Sequence, residues 1–266
     1  MIDPWLLMLL LKMAVAASIV VGCSVLAERT GPLLAAMIAT LPISAGPVYV
    51  FLAMDHDAAF LSAGALGSMS SNLANACLSL VYVLLAQRFG VIVSLGAGLI
   101  TWGSAVTVLR ELAPPFVVLL VLTIAGYSSL HLIFKPYLAA RPAKPPGRLW
   151  YVIPLRAAAV ATLTGVVTTL SAKVGPAWSG VLAAMPLVLS SLIAILHSRM
   201  GGPASAAVIA NSALGLLGFG LGLGTLHLTA VPLGSWPGLG LGLLVCVVWN
   251  LALMALARRK ARRPAP

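Results

Sequence analysis

The chain has 266 residues, of which 61% are apolar and 8% charged, and its mean hydropathy is +1.09, whereas a soluble domain carries roughly 25% charged residues. Its longest polar interval, 135–148, is too short to bury a core, so one membrane domain is expected and no soluble one. The net charge of +11 gathers beside apolar spans, at Lys135–Arg148 and Arg258–Arg263, where membrane topology accounts for it and nucleic acid is not an expected partner.

The first apolar run, 4–27, follows Asp3 and lacks the basic start and small-residue cleavage site of a signal peptide, so it reads as a retained helix. Lys12 lies eight residues into it. The second run, 33–54, carries Pro42 near its middle, flanked by Thr40, Ser44, Gly46 and Pro47. Proline there removes a backbone bond and clashes with the preceding turn, which predicts a kink or break. Freed carbonyls and hydroxyls would then line a site near the midplane, or neighbouring helices would satisfy them. The turn Asp55-His56-Asp57 reads as a solvated loop, because three adjacent loop residues make a poor coordination shell.

The third run, 58–86, places Gly64, Ser68, Ser71, Asn72, Asn75 and Ser79 on one helical face. Such a small, polar stripe either glues helices together or lines a pore. Runs at 90–109 and 115–134 follow, the former holding Trp102 toward its interior. After the basic loop come 150–172 with Arg156, 177–197 with Pro186, Ser190 and Ser191, 203–228 with Asn211 and Ser212, and 233–257 with Trp249. Gly215, Gly218, Gly220, Gly222 and Gly224 in the eighth run suggest tight helix contact. Each run is long enough to cross about 30 Å of hydrocarbon at about 1.5 Å per residue. The fold class is therefore all-α, a polytopic membrane protein of about nine transmembrane helices.

Nine spans put twelve Lys and Arg on one side and only Arg110 and Lys173 on the other, with Asp3, Asp55, Asp57 and Glu111. The positive-inside rule then sets the N-terminus outside and the C-terminus in the cytoplasm of a bacterial inner membrane. Residues 12–42 align without a gap on 156–186 at an offset of 144, with seven identities in 31 positions. Lys12 meets Arg156, Gly31-Pro32 meets Gly175-Pro176, and Pro42 meets Pro186. Ser68 meets Ser212 at the same offset, and Trp102 meets Trp249 once a longer loop is allowed. The unpaired run 115–134 inverts the second half, giving a 4+1+4 plan: repeat 1 at 1–112, linker helix and basic loop at 113–148, repeat 2 at 149–266.

All five carboxylates map to ends or loops, which leaves no acid for an intramembrane protease, a magnesium-dependent transferase or a proton relay. His131 and His197 have no acidic partner in sequence, and Cys23, Cys77 and Cys246 stand apart, so no enzyme, metal or cofactor is expected. Lys12 and Arg156 either snorkel to headgroups or face the interior and bind an anion.

Each half resembles small four-helix bacterial membrane proteins of the GlpM-like type, through GPLLAAMIATLPISAGPVYVFLA and GPAWSGVLAAMPLVLSSLIAIL. The resemblance covers about half of each repeat and implies a tandem fusion of two such units, with no activity to carry over. The plan is also similar to that of fused two-domain fluoride channels, whose filter motif is not found here.

The expectation is a transporter, flippase or channel for a small anionic solute or lipid headgroup. Its pathway lies between the halves and is lined by Lys12, Arg156, Thr40, Pro42, Ser44, Ser68, Asn72, Asn75, Pro186, Ser190, Asn211 and Ser212. The alternative is a scaffold or envelope-assembly factor in which these residues only hold helices together. Anionic lipids near the basic loop and tail are the expected partners.

Overall fold

The computed structural model describes residues 3–29, 41–140 and 151–261. Among them the regular structure is helical: α1 Pro4–Arg29, α2 Ala45–Asp55, α3 Ala58–Leu85, α4 Val91–Leu112, α5 Phe116–Ile133, α6 Val152–Ala183, α7 Leu187–Met200, α8 Gly202–Leu233 and α9 Ser235–Ala261, with one 3₁₀ turn at Lys135–Tyr137. Seven stretches are long and apolar enough to cross a bilayer, α6 and α7 counting together as one, Val152–Met200. The chain is a helical, multi-pass membrane protein.

Burial sorts these helices into an inner pair and an outer shell. In their most apolar windows α3 and α8 are 67% and 61% buried, against 17–22% for α1, α4, α5 and α9. The sequence explains the difference, because α3 and α8 carry the Gly, Ala, Ser and Asn residues that let backbones approach, and the outer helices carry Leu, Ile and Val toward lipid. Hydrogen bonds run along the inner pair from end to end: Ser62 Oγ donates to the His227 carbonyl at 2.8 Å, Asn72 Nδ2 to the Leu216 carbonyl at 3.1 Å, and the Tyr82 hydroxyl to Ser205 Oγ at 2.7 Å. Rising numbers on α3 meet falling numbers on α8, so the two are antiparallel. In the shell α4 packs on α3, α9 on α8, and α5 across both inner helices.

Val152–Met200 is 49 residues long, about 74 Å at 1.5 Å per residue, more than twice the hydrocarbon thickness. It therefore cannot cross straight. Gly175, at φ +77° and ψ 175°, interrupts α6, with Pro176 opening the next segment. A side chain would strain that backbone. Ser171, just before the break, lies 2.8 Å from His56, whereas Gly180, Ala184 and His197 meet Ser68, Ser71 and Tyr82 in that order. The chain thus runs up to the end of the molecule that holds His56, reverses at Gly175, and returns parallel to α3. Where α3 passes this returning segment the backbones touch: Gly64 and Gly67 face Gly180 and the Ala177 carbonyl, leaving no room for a Cβ at Gly67 or Gly180.

A second break follows at residues 184–186, where Pro186 starts α7. α2 and α7 each begin within three residues of a proline, Pro42 and Pro186, and at Pro186 the preceding helix is seen to end. The expected span 177–197 is thus divided, its first part continuing α6 beyond Gly175 and its second forming α7.

Candidate functional site

The helix starts at Ala45 and Leu187 converge on one cavity of about 190 Å³. Pro42, Ser44, Asn75, Arg156, Pro186 and Ser212 line it, together with Phe219 and a collar of Leu, Ile, Val and Ala. These six polar or helix-breaking positions come from five separate segments of the chain. From the cavity α2 runs 11 residues to Asp55 and α7 runs 14 to Met200, about 16 and 21 Å. Asp55 lies at the start of α3, whereas His197, in the last turn of α7, reaches Tyr82 near its end. The two short helices therefore point to opposite ends of the bundle, and the cavity lies between their starts, away from both ends.

A helix start carries unsatisfied N–H groups and the positive end of the helix dipole. Neither α2 nor α7 has a side-chain cap: Ser44 makes no capping bond, and the residue before α7 is Pro186. Several of these N–H groups are already engaged, Gly46 donating to the Pro42 carbonyl, Leu187 to the Met185 carbonyl and Ser190 to the Pro186 carbonyl, and Pro47 has none, so the two helix dipoles and the Arg156 guanidinium are what favour an anion there. Asn75 adds a directed acceptor. Its Nδ2 donates to the Ala184 carbonyl at 3.3 Å, which fixes the orientation of the amide, and its Oδ1 is buried with no hydrogen-bond partner among the described residues. The arrangement suits an oxyanion that also carries an O–H or N–H donor.

Other expected site residues lie elsewhere. Lys12 neither snorkels nor faces the cavity: its ammonium sits 2.5 and 2.6 Å from the two carboxylate oxygens of Asp55 and 6.0 Å from the Phe51 ring centroid. That pair holds the ammonium away from the cavity, whose lining does not include Lys12. Ser68 donates to the Gly180 carbonyl at 2.6 Å and accepts from the Tyr49 hydroxyl at 2.7 Å, a bond inside the helix packing. Asn72 is fully buried between α3, α5 and α8; beyond its bond to Leu216 its Oδ1 and carbonyl accept from the Tyr127 hydroxyl at 3.2 and 2.7 Å. Asn211 is exposed and donates to the Ala207 and Leu138 carbonyls. Ser190 follows Leu189 of the lining, its hydroxyl buried and without a partner among the described residues. Thr40 lies outside the described residues.

The α3 stripe packs helices together, and one of its members also borders the cavity. Ser68, Ser71 and Asn75 reach carbonyls at and before the 184–186 break, Ala184 receiving two of the three bonds. Interhelical bonds of this kind stabilise by about 0.6 kcal/mol each, so they act collectively. Asn75 alone of the stripe also lines the cavity. The Asp55-His56-Asp57 turn is structural rather than a free loop: Asp55 pairs with Lys12, His56 Nε2 meets Ser171 and the ring stacks on Phe60, and Asp57 caps α3 by accepting from the Phe60 N–H at 2.8 Å. Trp249 donates to the Leu214 carbonyl at 2.7 Å and Trp102 packs in the core between helices. Neither lines the cavity.

No family model, curated protein or solved structure matches the chain.

Proposed function

We propose that the chain is a carrier that moves an anionic group across a bacterial inner membrane, binding it in the cavity between Pro42 and Pro186. One observation carries this reading: two oppositely directed half-helices start at one deep cavity that also holds Arg156 and an unsatisfied Asn75 acceptor. Discontinuous helices whose positive ends meet a substrate anion near the midplane are a recurrent carrier design. The reading involves no covalent step.

Two four-helix halves in opposite orientation, joined by α5, are the proposed framework. The contacts support it. In an inverted pair, a residue on the pseudo-twofold axis meets its own equivalent, and Asn72 bonds the residue 144 positions on, Leu216. Ala16 and Val160, also 144 apart, share a buried cluster between α1 and α6. The contacts of α2 with α9 and of α7 with α4 exchange under the same operation. With nine crossings the twelve-to-two charge split puts the N-terminus outside. Rocking of one half against the other would open the cavity to each face in turn.

The scaffold alternative draws on Ser68 and Asn72, whose polar groups are engaged in packing. Proteoliposome flux separates the two, using inorganic phosphate, small carboxylates and a fluorescent anionic lipid followed between leaflets. Movement of one of these, lost in Arg156→Ala and retained in Lys12→Ala, is the expected result. Flux no greater than in empty liposomes for every probe establishes the scaffold instead.

A further inference from the structure

A larger opening adjoins the cavity. It is a cleft of about 480 Å³ between α1, α2, α8 and α9, within the range of about 300–1,000 Å³ typical of ligand pockets. Its walls are almost wholly apolar, and Leu41, Pro42, Ile43, Ala45 and Phe219 belong to both the cleft and the cavity, so the two share a wall. The lining residues Ile19, Val50, Trp236 and Leu243 are also exposed on the lipid-facing surface, so the cleft opens sideways into the bilayer. Small residues hold it open. Among the described residues, no atom stands within 4 Å of where a Cβ would sit at Gly46 or Gly240.

We propose that the occupant is an anionic lipid with a hydroxylated headgroup, its headgroup in the Arg156 cavity and its hydrocarbon in the cleft. This rests on the anion reading above and specifies the substrate class. A soluble anion gains nothing from an apolar cleft open to lipid, whereas an acyl chain enters it without crossing water. The polar end is matched separately: Arg156 and the two helix starts complement a phosphodiester, and Asn75 Oδ1 requires a donor, which a glycerol hydroxyl supplies. The predicted selectivity is for phosphatidylglycerol over phosphatidylcholine, which has the phosphate but no donor.

The test is native mass spectrometry of the full chain with dioleoylphosphatidylglycerol, dioleoylphosphatidylcholine and the deacylated headgroup glycerophosphoglycerol. Gly240→Phe places a ring in the cleft from an open position, and Gly46→Leu does the same with a better helix former. Wild type is expected to retain phosphatidylglycerol in preference to the other two. Both cleft variants should weaken it by about tenfold or more through lost apolar burial, while glycerophosphoglycerol binding stays level. Arg156→Gln should weaken both anions. Equal binding of phosphatidylglycerol and glycerophosphoglycerol, unaffected by either cleft variant, overturns the lipid assignment and leaves the anion reading standing. Phosphatidylglycerol held as tightly by Arg156→Gln as by wild type overturns both, as does a wild type that binds neither anion.

Discussion

Lys12 and Arg156 stand at equivalent places in the two aligned segments, yet their surroundings differ in kind. Lys12 is 8% exposed and grips Asp55, at the far end of α2 from the cavity. Arg156 lines the cavity where α2 and α7 begin. The residue 144 positions on from Asp55 is Arg199, so the acid that holds Lys12 has no acidic counterpart at the aligned position. Aligned positions thus sit in different surroundings, Lys12 in an ion pair and Arg156 on a cavity wall.

Breaking that contrast should affect translocation most at Arg156. Arg156→Gln removes charge-assisted bonds worth about 1.5–3 kcal/mol, so substrate affinity should fall roughly tenfold to a hundredfold, read as the concentration giving half-maximal flux. Asn75→Ala deletes one acceptor and the bond to Ala184, for an affinity loss of about fivefold and a stability loss of about 1 kcal/mol. The smallest effect on flux belongs to Lys12→Met with Asp55→Asn. Flux per folded molecule should stay within about twofold, while each single variant costs about 1–3 kcal/mol and the double variant less than their sum in a double-mutant cycle. Flux as sensitive to Lys12 as to Arg156 would dissolve the distinction.

Much of the fold was legible because the bilayer imposes length and proline imposes breaks. The runs 58–86, 90–109, 115–134, 203–228 and 233–257 correspond to α3, α4, α5, α8 and α9 within a few residues, apart from longer ends. Pro186 signalled interruption through sterics that need no tertiary context, whereas the residues before Pro42 lie outside the described ones and only the helix start at Ala45 is seen there. What escaped depends on partners far along the chain. Asp55 is 43 residues from Lys12, and nothing local distinguishes a pairing carboxylate from a solvated one. Ser68, Asn72 and Asn75 lie on one face with the same chemistry; only the position of the Gly180, Leu216 and Ala184 carbonyls assigns two to packing and one to the cavity. The glycines of α8 read as close contact, which holds at Gly222 against Gly242 and Cys246. The cleft beside them is a space, and a space has no residue to announce it.

The antiparallel bonding of α3 to α8 also governs how the molecule comes into being. Ser62, Asn72 and Tyr82 find their partners on α8 between 123 and 165 residues later in the chain. At about 5–20 residues per second of synthesis, the polar face of α3 waits roughly six to thirty-three seconds for its mate. During that interval its hydroxyls and amides face hydrocarbon, or shelter against the insertion machinery, and a ribosome halted before α8 leaves behind a nascent chain with an unquenched polar seam. The seam between α3 and α8 therefore closes only when α8 arrives.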